Sequence, residues 1–190
     1  MRRLALILAL AACDTPAPDP MIEAALQSGA PALLISVEAR EDALAPFVAS
    51  TTRDGKTTWR SADGVSVTTQ AGLLHATRGL GADMLASDTA QSRRRLIRNQ
   101  PGLAERFHTF LNGEDQAITR AYVCEITNRG GRQIDVGRGP QTARLMAEDC
   151  ASLSETFTNL YWIAPSGSIL QSRQWAGAFT GPLAIRDIPN

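Results

Sequence analysis

The 190-residue chain has little of what marks the common classes of enzyme and nucleic-acid-binding protein. Lys56 is its single lysine, it has two histidines and three cysteines, and its acidic and basic side chains balance to a formal net charge of zero. Because no basic field runs along the chain, no nucleic-acid partner is expected. It also lacks a Gly-x-Ser-x-Gly elbow and a phosphate-binding loop, so neither of these catalytic sites is predicted.

Apolar runs of membrane length are also missing. The run from Leu4 to Leu10 is too short for a bilayer, which takes about 20 residues. Two arginines precede it and Leu10-Ala11-Ala12-Cys13 ends it, which is the order of a secretory signal with a bacterial lipobox. We therefore predict a lipoprotein signal peptide over residues 1–12 and a membrane anchor of several acyl chains on Cys13. The alternative is an ordinary cleaved signal with a coincidental cysteine.

The rest of the chain divides into a tether and one domain. Residues 13–20 contain three prolines and predict a short, stiff tether. Residues 21–190 predict a single β-rich periplasmic domain, which is large enough to bury its own core.

Cysteine is scarce, and once Cys13 is assigned only Cys124 and Cys150 remain. An exported chain meets an oxidising compartment, so a disulfide between these two is predicted. Two buried thiols are the alternative. Two cysteines and two distant histidines do not match a zinc spacing, so no metal site and no cofactor is predicted.

Alternation of apolar and polar residues predicts a mainly β fold. Between Thr57 and Leu85, short alternating segments are separated by the turn signals Ala62-Asp63-Gly64 and Gln70-Ala71-Gly72. Similar segments recur up to Ile188, about nine strands in all, joined by hairpin-length loops. This pattern predicts an antiparallel curved sheet, half-barrel or barrel-like, with one or two short helices. It leaves the choice between an open half-barrel and a sandwich undecided.

Four local segments carry specific expectations. Pro46 lies in a predicted strand, where it requires an edge or a bulge. Gly130-Gly131 predicts a turn, and Leu145 to Asp149 predicts a helical turn. Ala90 to Arg98 predicts a short helix whose three consecutive arginines form a solvated face. Binding of an anionic phospholipid or an acidic glycan is the alternative for these arginines.

The three tryptophans are the candidates for contact with a sugar, because an aromatic face suits the C–H face of a pyranose. They are Trp59, Trp162 and Trp175. The alternative for each of them is a place in the core.

Two arginines are candidates for contact with an anionic glycan. Arg78 lies between turns and Arg173 lies within a strand, both unusual places for a charge. The alternative for either arginine is an ion pair with Asp63 or Asp83.

No catalytic residue is predicted. Glu114 and Asp115 are neighbours at a hairpin tip, whereas glycosidic cleavage needs two carboxyl groups about 5 to 9 Å apart across the bond. We therefore interpret this acidic pair as turn-forming. His75 and His108 have no cysteine or serine motif nearby, and we expect them to be structural or exposed.

Four motifs taken together resemble a known family. They are the lipobox; Thr57-Thr58-Trp59 and Ala62-Asp63-Gly64-Val65-Ser66 with Ala76-Thr77-Arg78-Gly79-Leu80-Gly81; Leu111-Asn112-Gly113-Glu114-Asp115; and Asn159-Leu160-Tyr161-Trp162 with Ser172-Arg173-Gln174-Trp175. In this order they resemble the YjbF/GfcB (YmcC-like) family of exopolysaccharide and group 4 capsule lipoproteins. The resemblance covers nearly the whole chain after the signal.

The resemblance implies a periplasm-facing, mainly β lipoprotein that acts in assembly or export of an extracellular polysaccharide, without a known reaction. Its expected partners are the membrane, through acylated Cys13, polysaccharide-secretion proteins, and the glycan itself. The outer membrane is favoured over the inner one, although Asp14 is an inner-membrane retention signal in enteric bacteria. Two other functions stay open: a periplasmic glycan-modifying enzyme, and a carrier of a lipid or hydrophobic ligand.

Overall fold

The computed structural model describes residues 20–40, 43–112, 114, 116–137 and 139–188. The predicted signal peptide, Cys13 and the tether up to residue 19 lie outside these ranges. No helix within the described ranges is long and apolar enough to cross a bilayer.

The described chain forms two short helices and twelve strands. The helices are α1 (Pro20–Gln27) and α2 (Ala90–Ile97). The strands are β1 (Ala32–Val37), β2 (Leu44–Arg53), β3 (Lys56–Arg60), β4 (Ser66–Gln70), β5 (Leu73–Arg78), β6 (Met84–Asp88), β7 (Gly102–Leu111), β8 (Ala117–Asp135), β9 (Pro140–Ala151), β10 (Thr156–Ile163), β11 (Ile169–Trp175) and β12 (Pro182–Ile188). The prediction of a mainly β fold with one or two short helices is confirmed.

All twelve strands belong to one antiparallel sheet, in the order β5-β4-β3-β2-β1-β12-β11-β10-β9-β8-β7-β6. Consecutive strands pair as hairpins, and the one pairing between distant parts of the chain is that of β1 with β12. The two edge strands, β5 and β6, come together, so the sheet curls into a nearly closed barrel. The sequence left the choice between an open half-barrel and a sandwich undecided, and the structure shows one barrel-shaped sheet.

The seam between β5 and β6 is closed by side chains in place of a backbone ladder. Ser87 Oγ donates to the carbonyl of Leu74 at 2.6 Å, and Thr77 Oγ1 accepts from the amide of Met84 at 2.9 Å. His75 Nδ1 lies 2.8 Å from the carbonyl oxygen of Ser87. Backbone groups left open at a sheet edge are a template for strand addition, so these bonds protect both edges.

The interior of the barrel is filled by three clusters of buried side chains. The first contains Leu33, Ile35, Val37, Phe47, Val67, Leu74, Leu80, Met84, Ala176, Leu183 and Ile185. The second contains Leu73, Leu96, Ala104, Ile126, Met146, Tyr161 and Ile163, and the third Tyr122, Cys124, Cys150 and Phe157. Leu96 belongs to α2, so this helix contributes to the core. The lumen is a packed core rather than a channel.

The turns divide between two ends of the barrel. The turns after β2, β4, β8 and β10 lie at one end, together with α2, and we call this the open end. The turns after the odd-numbered strands lie at the other, which we call the far end. Helix α1 packs outside the barrel near the open end, where Leu26 contacts Ala32, Val48 and Ile188.

Two expectations about β8 and β9 are wrong. Gly130-Gly131 is not a turn, because β8 continues through it with a register shift between Asn128 and Gly131. Gly130 has a φ of +86°, which glycine adopts freely, so the pair forms a bulge and the chain turns only after Asp135. The segment from Leu145 to Asp149 lies within β9, paired with β8 and β10 on its two sides. A short apolar run is locally ambiguous, and the neighbouring strands decide its conformation.

At Pro46, strand β2 is paired on one side only, which is a position that a proline tolerates, as expected. It pairs with Leu34 of β1 on one side, while β3 begins to pair with β2 only at Val48. The missing N–H therefore leaves no gap in a ladder. The count of about nine strands is too low, because the hydropathy pattern did not predict β6 or β9.

Cys124 and Cys150 lie directly opposite each other on β8 and β9 and form a disulfide. Both belong to the third core cluster, beside Tyr122 and Phe157. The bond therefore joins two central strands inside the barrel.

Replacing both Cys124 and Cys150 with alanine is expected to lower the free energy of unfolding. The bond joins residues 26 positions apart, and closing a loop of that length stabilises a chain by about 3 kcal/mol. Urea unfolding of an unacylated Cys13→Ser protein, with and without the two replacements, measures the difference. Chemical reduction of the parent should give a similar loss, and an unchanged urea midpoint would contradict the expectation.

Candidate functional site

The three candidate tryptophans lie in different surroundings. Trp59 of β3 lines a cleft at the open end. Trp162 is half-buried on β10, opposite Leu145 of β9. Trp175 stacks on Phe157 with 5.6 Å between the ring centroids, so its ring has a place in the core. Of the three, only Trp59 borders an open cavity among those described.

Arg173 is held by contacts within the protein. Its Nε lies 2.9 Å from both carboxylate oxygens of Glu38, and its Nη1 donates to the carbonyl of Thr158 at 3.0 Å. The alternative of an ion pair is therefore confirmed for this arginine, but its suggested partners Asp63 and Asp83 are wrong, because Glu38 is the partner.

Arg78 is exposed near the far end, in a groove that Asp83 also lines. The carboxylate of Asp83 instead accepts hydrogen bonds from the amides of Gly79 and Leu80, at 2.8 and 3.0 Å. Arg78 forms no ion pair within the described part of the chain, so the alternative of a pair with Asp63 or Asp83 is wrong for this arginine.

The cleft at the open end has a volume of about 490 Å³ and is built from separate segments of the chain. Trp59 Nε1 donates to Thr69 Oγ1 of the neighbouring strand at 2.9 Å, which holds the indole ring in place. The lining combines apolar surface, hydroxyl groups and one carboxylate. Its members are Leu33, Trp59, Thr69, Ala71, Gly72, Ile97, Ser166, Gly167, Ser168, Ile169, Leu170, Ser172, Ile185 and Asp187.

Close packing of two turns shapes the walls of this cleft. A Cβ placed on Gly72 would lie only 3.0 Å from the Ile169 side chain, and the φ of Gly72 is +83°, so glycine is required on both counts. A Cβ on Gly167 would lie 3.5 Å from Ile97. The C-terminal end of α2 thus packs against the turn that follows β10.

A second polar group lies inside the barrel, sealed from solvent. Arg106, His108, Glu148 and Tyr161 are fully buried. Arg106 Nη1 donates to Glu148 Oε2 at 2.7 Å, and Arg106 Nε donates to His108 Nε2 at 2.8 Å. The Tyr161 hydroxyl donates to the same oxygen of Glu148 at 2.9 Å. One oxygen of this buried carboxylate therefore accepts hydrogen bonds from residues of two strands, β7 and β10.

The charges in this buried group compensate each other. Burial opposes the charge of Arg106, but Glu148 and Tyr161 together outweigh it and raise the pKa of Arg106. Burial and the neighbouring guanidinium lower the pKa of His108 to about 2, so its ring is neutral and accepts from Arg106. Burial and Glu148 also raise the pKa of Tyr161. The group is a neutralised ion pair with neutral neighbours, which is the arrangement that a low dielectric tolerates.

This buried group is not arranged for glycan chemistry. Glu148 is the one buried carboxylate among the residues that the structure describes, whereas glycosidic cleavage uses two across the bond. Cys124, Glu148 and Cys150 bring three potential metal ligands within 4.8 Å of one another. The two sulfurs are joined in a disulfide, however, and so are not thiolates that could bind a metal.

Residues 8–187 match the model of a protein family that is described as "Group 4 capsule polysaccharide lipoprotein gfcB, YjbF". A solved structure, that of the hypothetical lipoprotein YmcC from Escherichia coli (K12), superposes with a TM-score of 0.75 and 16% sequence identity. The match covers 93% of this chain and 91% of that one. At this identity the likeness shows the fold alone. No protein of curated function matches the chain.

Replacing His108 with glutamine is expected to reduce the loss of stability in acid. The buried ring stays neutral in the folded protein, whereas the unfolded chain takes up a proton below pH 6.5. The unfolded state then binds more protons, so stability falls with falling pH by up to about 1.4 kcal/mol per unit. Glutamine keeps an acceptor for Arg106 but does not titrate.

Urea unfolding at a series of pH values from 6.5 downward measures this effect. The parent should lose stability more steeply than His108→Gln. A difference between the two proteins that stays constant over the series would show that His108 does not titrate in this way.

Proposed function

Because the chain belongs to the YjbF family of group 4 capsule polysaccharide lipoproteins, we propose that it is a lipid-anchored, non-catalytic accessory protein. It holds a segment of extracellular polysaccharide during assembly or export. The observation that supports this role is the cleft at the open end, which presents an indole ring and several hydroxyl groups together.

The chemistry of the cleft suits a sugar. Its volume of about 490 Å³ lies within the range of about 300–1,000 Å³ that is typical of ligand sites. A pyranose has an apolar C–H face and a rim of hydroxyl groups. The Trp59 ring suits the first, and the hydroxyls of Thr69, Ser166 and Ser168 suit the second. Polar groups of this kind fix the orientation of a ligand that an aromatic ring holds.

The other two functions have less support. A glycan-modifying enzyme calls for two facing carboxylates, but Asp187 is the single one among the described residues that line the cleft. A carrier calls for an apolar cavity within the barrel, but the lumen is filled by the three core clusters. A holding role needs only the exposed cleft.

The proposed anchor is acylated Cys13. Helix α1, which begins at Pro20, packs near the open end through Leu26. A proline-rich tether from Cys13 to Pro20 has a reach of about 20 Å at the rise of an extended polyproline helix. The cleft would then work close to the membrane surface, with the outer membrane as the favoured location and polysaccharide-secretion proteins as the neighbours.

Loss of the anchor is expected to abolish the cellular function. In a deletion strain, the wild-type gene should restore the surface polysaccharide. A Cys13→Ser version exported through a cleavable signal should not, although it reaches normal abundance. Full restoration by the unanchored protein would contradict a role for anchoring. An unaltered polymer in the deletion strain would contradict the polysaccharide role itself.

Filling the cleft is expected to abolish glycan binding without harming the fold. Ser168 is an exposed lining residue, so Ser168→Trp places a large ring at the mouth. Ser154→Trp adds the same ring to an exposed turn at the far end and serves as the matched control. Titration calorimetry with polysaccharide purified from the same cells should show binding by the parent and the control only. Equal binding by all three proteins would place the glycan elsewhere.

A further inference from the structure

Helix α2, whose last residue Ile97 lines the open-end cleft, and the neighbouring β8–β9 hairpin carry several arginines. We propose that they select an acidic polysaccharide, one whose sugars carry carboxylate groups. This inference rests on the proposed glycan-holding function and adds the class of glycan. We refer to Arg94, Arg95, Arg98, Arg132 and Arg144 as the basic rim.

Contacts tie the basic rim to the cleft. Ile97 lines the cleft and lies on α2 between Arg94 and Arg98. Arg144 of β9 reaches the same point, because its Nη2 donates to the carbonyls of Leu96 and Ile97 at 3.2 and 3.4 Å. The last turn of α2, which carries Arg94 and is followed by Arg98, therefore adjoins one wall of the cleft, and Arg144 holds the end of the helix there.

The charges of the basic rim are available to a ligand. Arg94, Arg98 and Arg132 are exposed, and none of them forms an ion pair with a residue in the described ranges. The nearby Arg129, in contrast, is paired with Asp149 at 3.3 Å. Unpaired cations beside a concave surface raise the local positive potential and concentrate anions there.

The one described carboxylate of the cleft lies on a different strand from those that the arginine-bearing helix contacts. Asp187 lies on β12, whereas α2 packs against β7 and β8. The cleft therefore has an arginine side and an acceptor side. A sugar with both a carboxylate and free hydroxyl groups matches the two sides better than a neutral sugar does.

The placement of the arginines favours a polymer over a lipid surface. Ile163, at the end of β10, pairs with Arg144, so β9 before that point pairs with β8 alone. The β8–β9 hairpin thus extends beyond the end of β10 as two strands and carries the exposed Arg132. Arginines beside the mouth and on a projecting hairpin lie at different levels. A flat layer of lipid headgroups contacts only the outermost arginines, whereas a flexible polyanion can contact the arginines at both levels.

The test uses the unacylated Cys13→Ser protein and alginate oligomers, a polyuronate, before and after chemical reduction of their carboxyl groups. Two variants carry the same change in net charge. Arg94→Gln/Arg132→Gln removes charge from the basic rim, and Arg60→Gln/Arg120→Gln removes it from exposed positions nearer the far end. Vesicles of phosphatidylglycerol and phosphatidylcholine test the lipid alternative, and Ser168→Trp tests the cleft.

We expect the parent to bind native alginate more tightly than the carboxyl-reduced form, and more weakly as salt is added. The rim variant should bind native alginate about tenfold more weakly, since each exposed charge pair contributes modestly. The control variant should bind like the parent.

Three other outcomes overturn the proposal in different ways. Equal binding of native and reduced oligomers, lost in Ser168→Trp, would retain the glycan-holding cleft but refute the selection of acidic sugars. No binding of either polymer, nor of the cells' own polysaccharide, would refute the holding function itself. Rim-dependent binding of vesicles, with alginate binding unaffected by the rim variant, would assign the arginines to a lipid surface.

Discussion

The Arg106 guanidinium and the Glu148 carboxylate meet inside the barrel, where neither has access to water. An unpaired charge at such a place destabilises a fold by several kcal/mol, so each residue depends on the other. They stand on β7 and β9, with β8 between them. Asn159 and Tyr161 of β10 donate to the same carboxylate, at 2.8 and 2.9 Å. One carboxylate on β9 thus links side chains of β7 and β10 to its own strand.

Further polar bridges extend from this pair to the cleft. The Asn159 side chain accepts from the amide of Trp175 on β11 at 2.7 Å. Gln174 of β11 then crosses the lumen, where its side chain accepts from the amide of Leu74 at 2.7 Å and donates to the carbonyl of Gly72 at 2.8 Å. These bonds hold the turn at Gly72 against β11. The shape of the cleft therefore depends on the buried polar groups as well as on the apolar core.

Local pattern was sufficient for most strands and for the fold class, but not for what depends on distant contacts. On β7, hydropathy alone would place Leu103 and Phe107 in the core, yet they are 62% and 37% exposed while Arg106 and His108 are buried. A strand has two faces, and here the polar network decides which one turns inward. Arg106 and Glu148 stand 42 positions apart, and no sequence signal links them. The cleft could not be predicted from the sequence either, because its lining residues come from separate segments of the chain. Only one of them, Trp59, was a candidate site residue.

The pairing of β1 with β12 has a consequence for the order of folding. Every neighbouring pair of strands is also consecutive in the chain, except β1 and β12, where Ala32 pairs with Ile188. Hairpins of consecutive strands form early because their loops are short, whereas the pairing of β1 with β12 must wait for the whole sequence between them. A chain that emerges from its N-terminus therefore keeps β1 without this partner until β12 has also emerged. Until the two strands pair, they are open sheet edges, and this is the stage at which the chain is most exposed to wrong strand pairing.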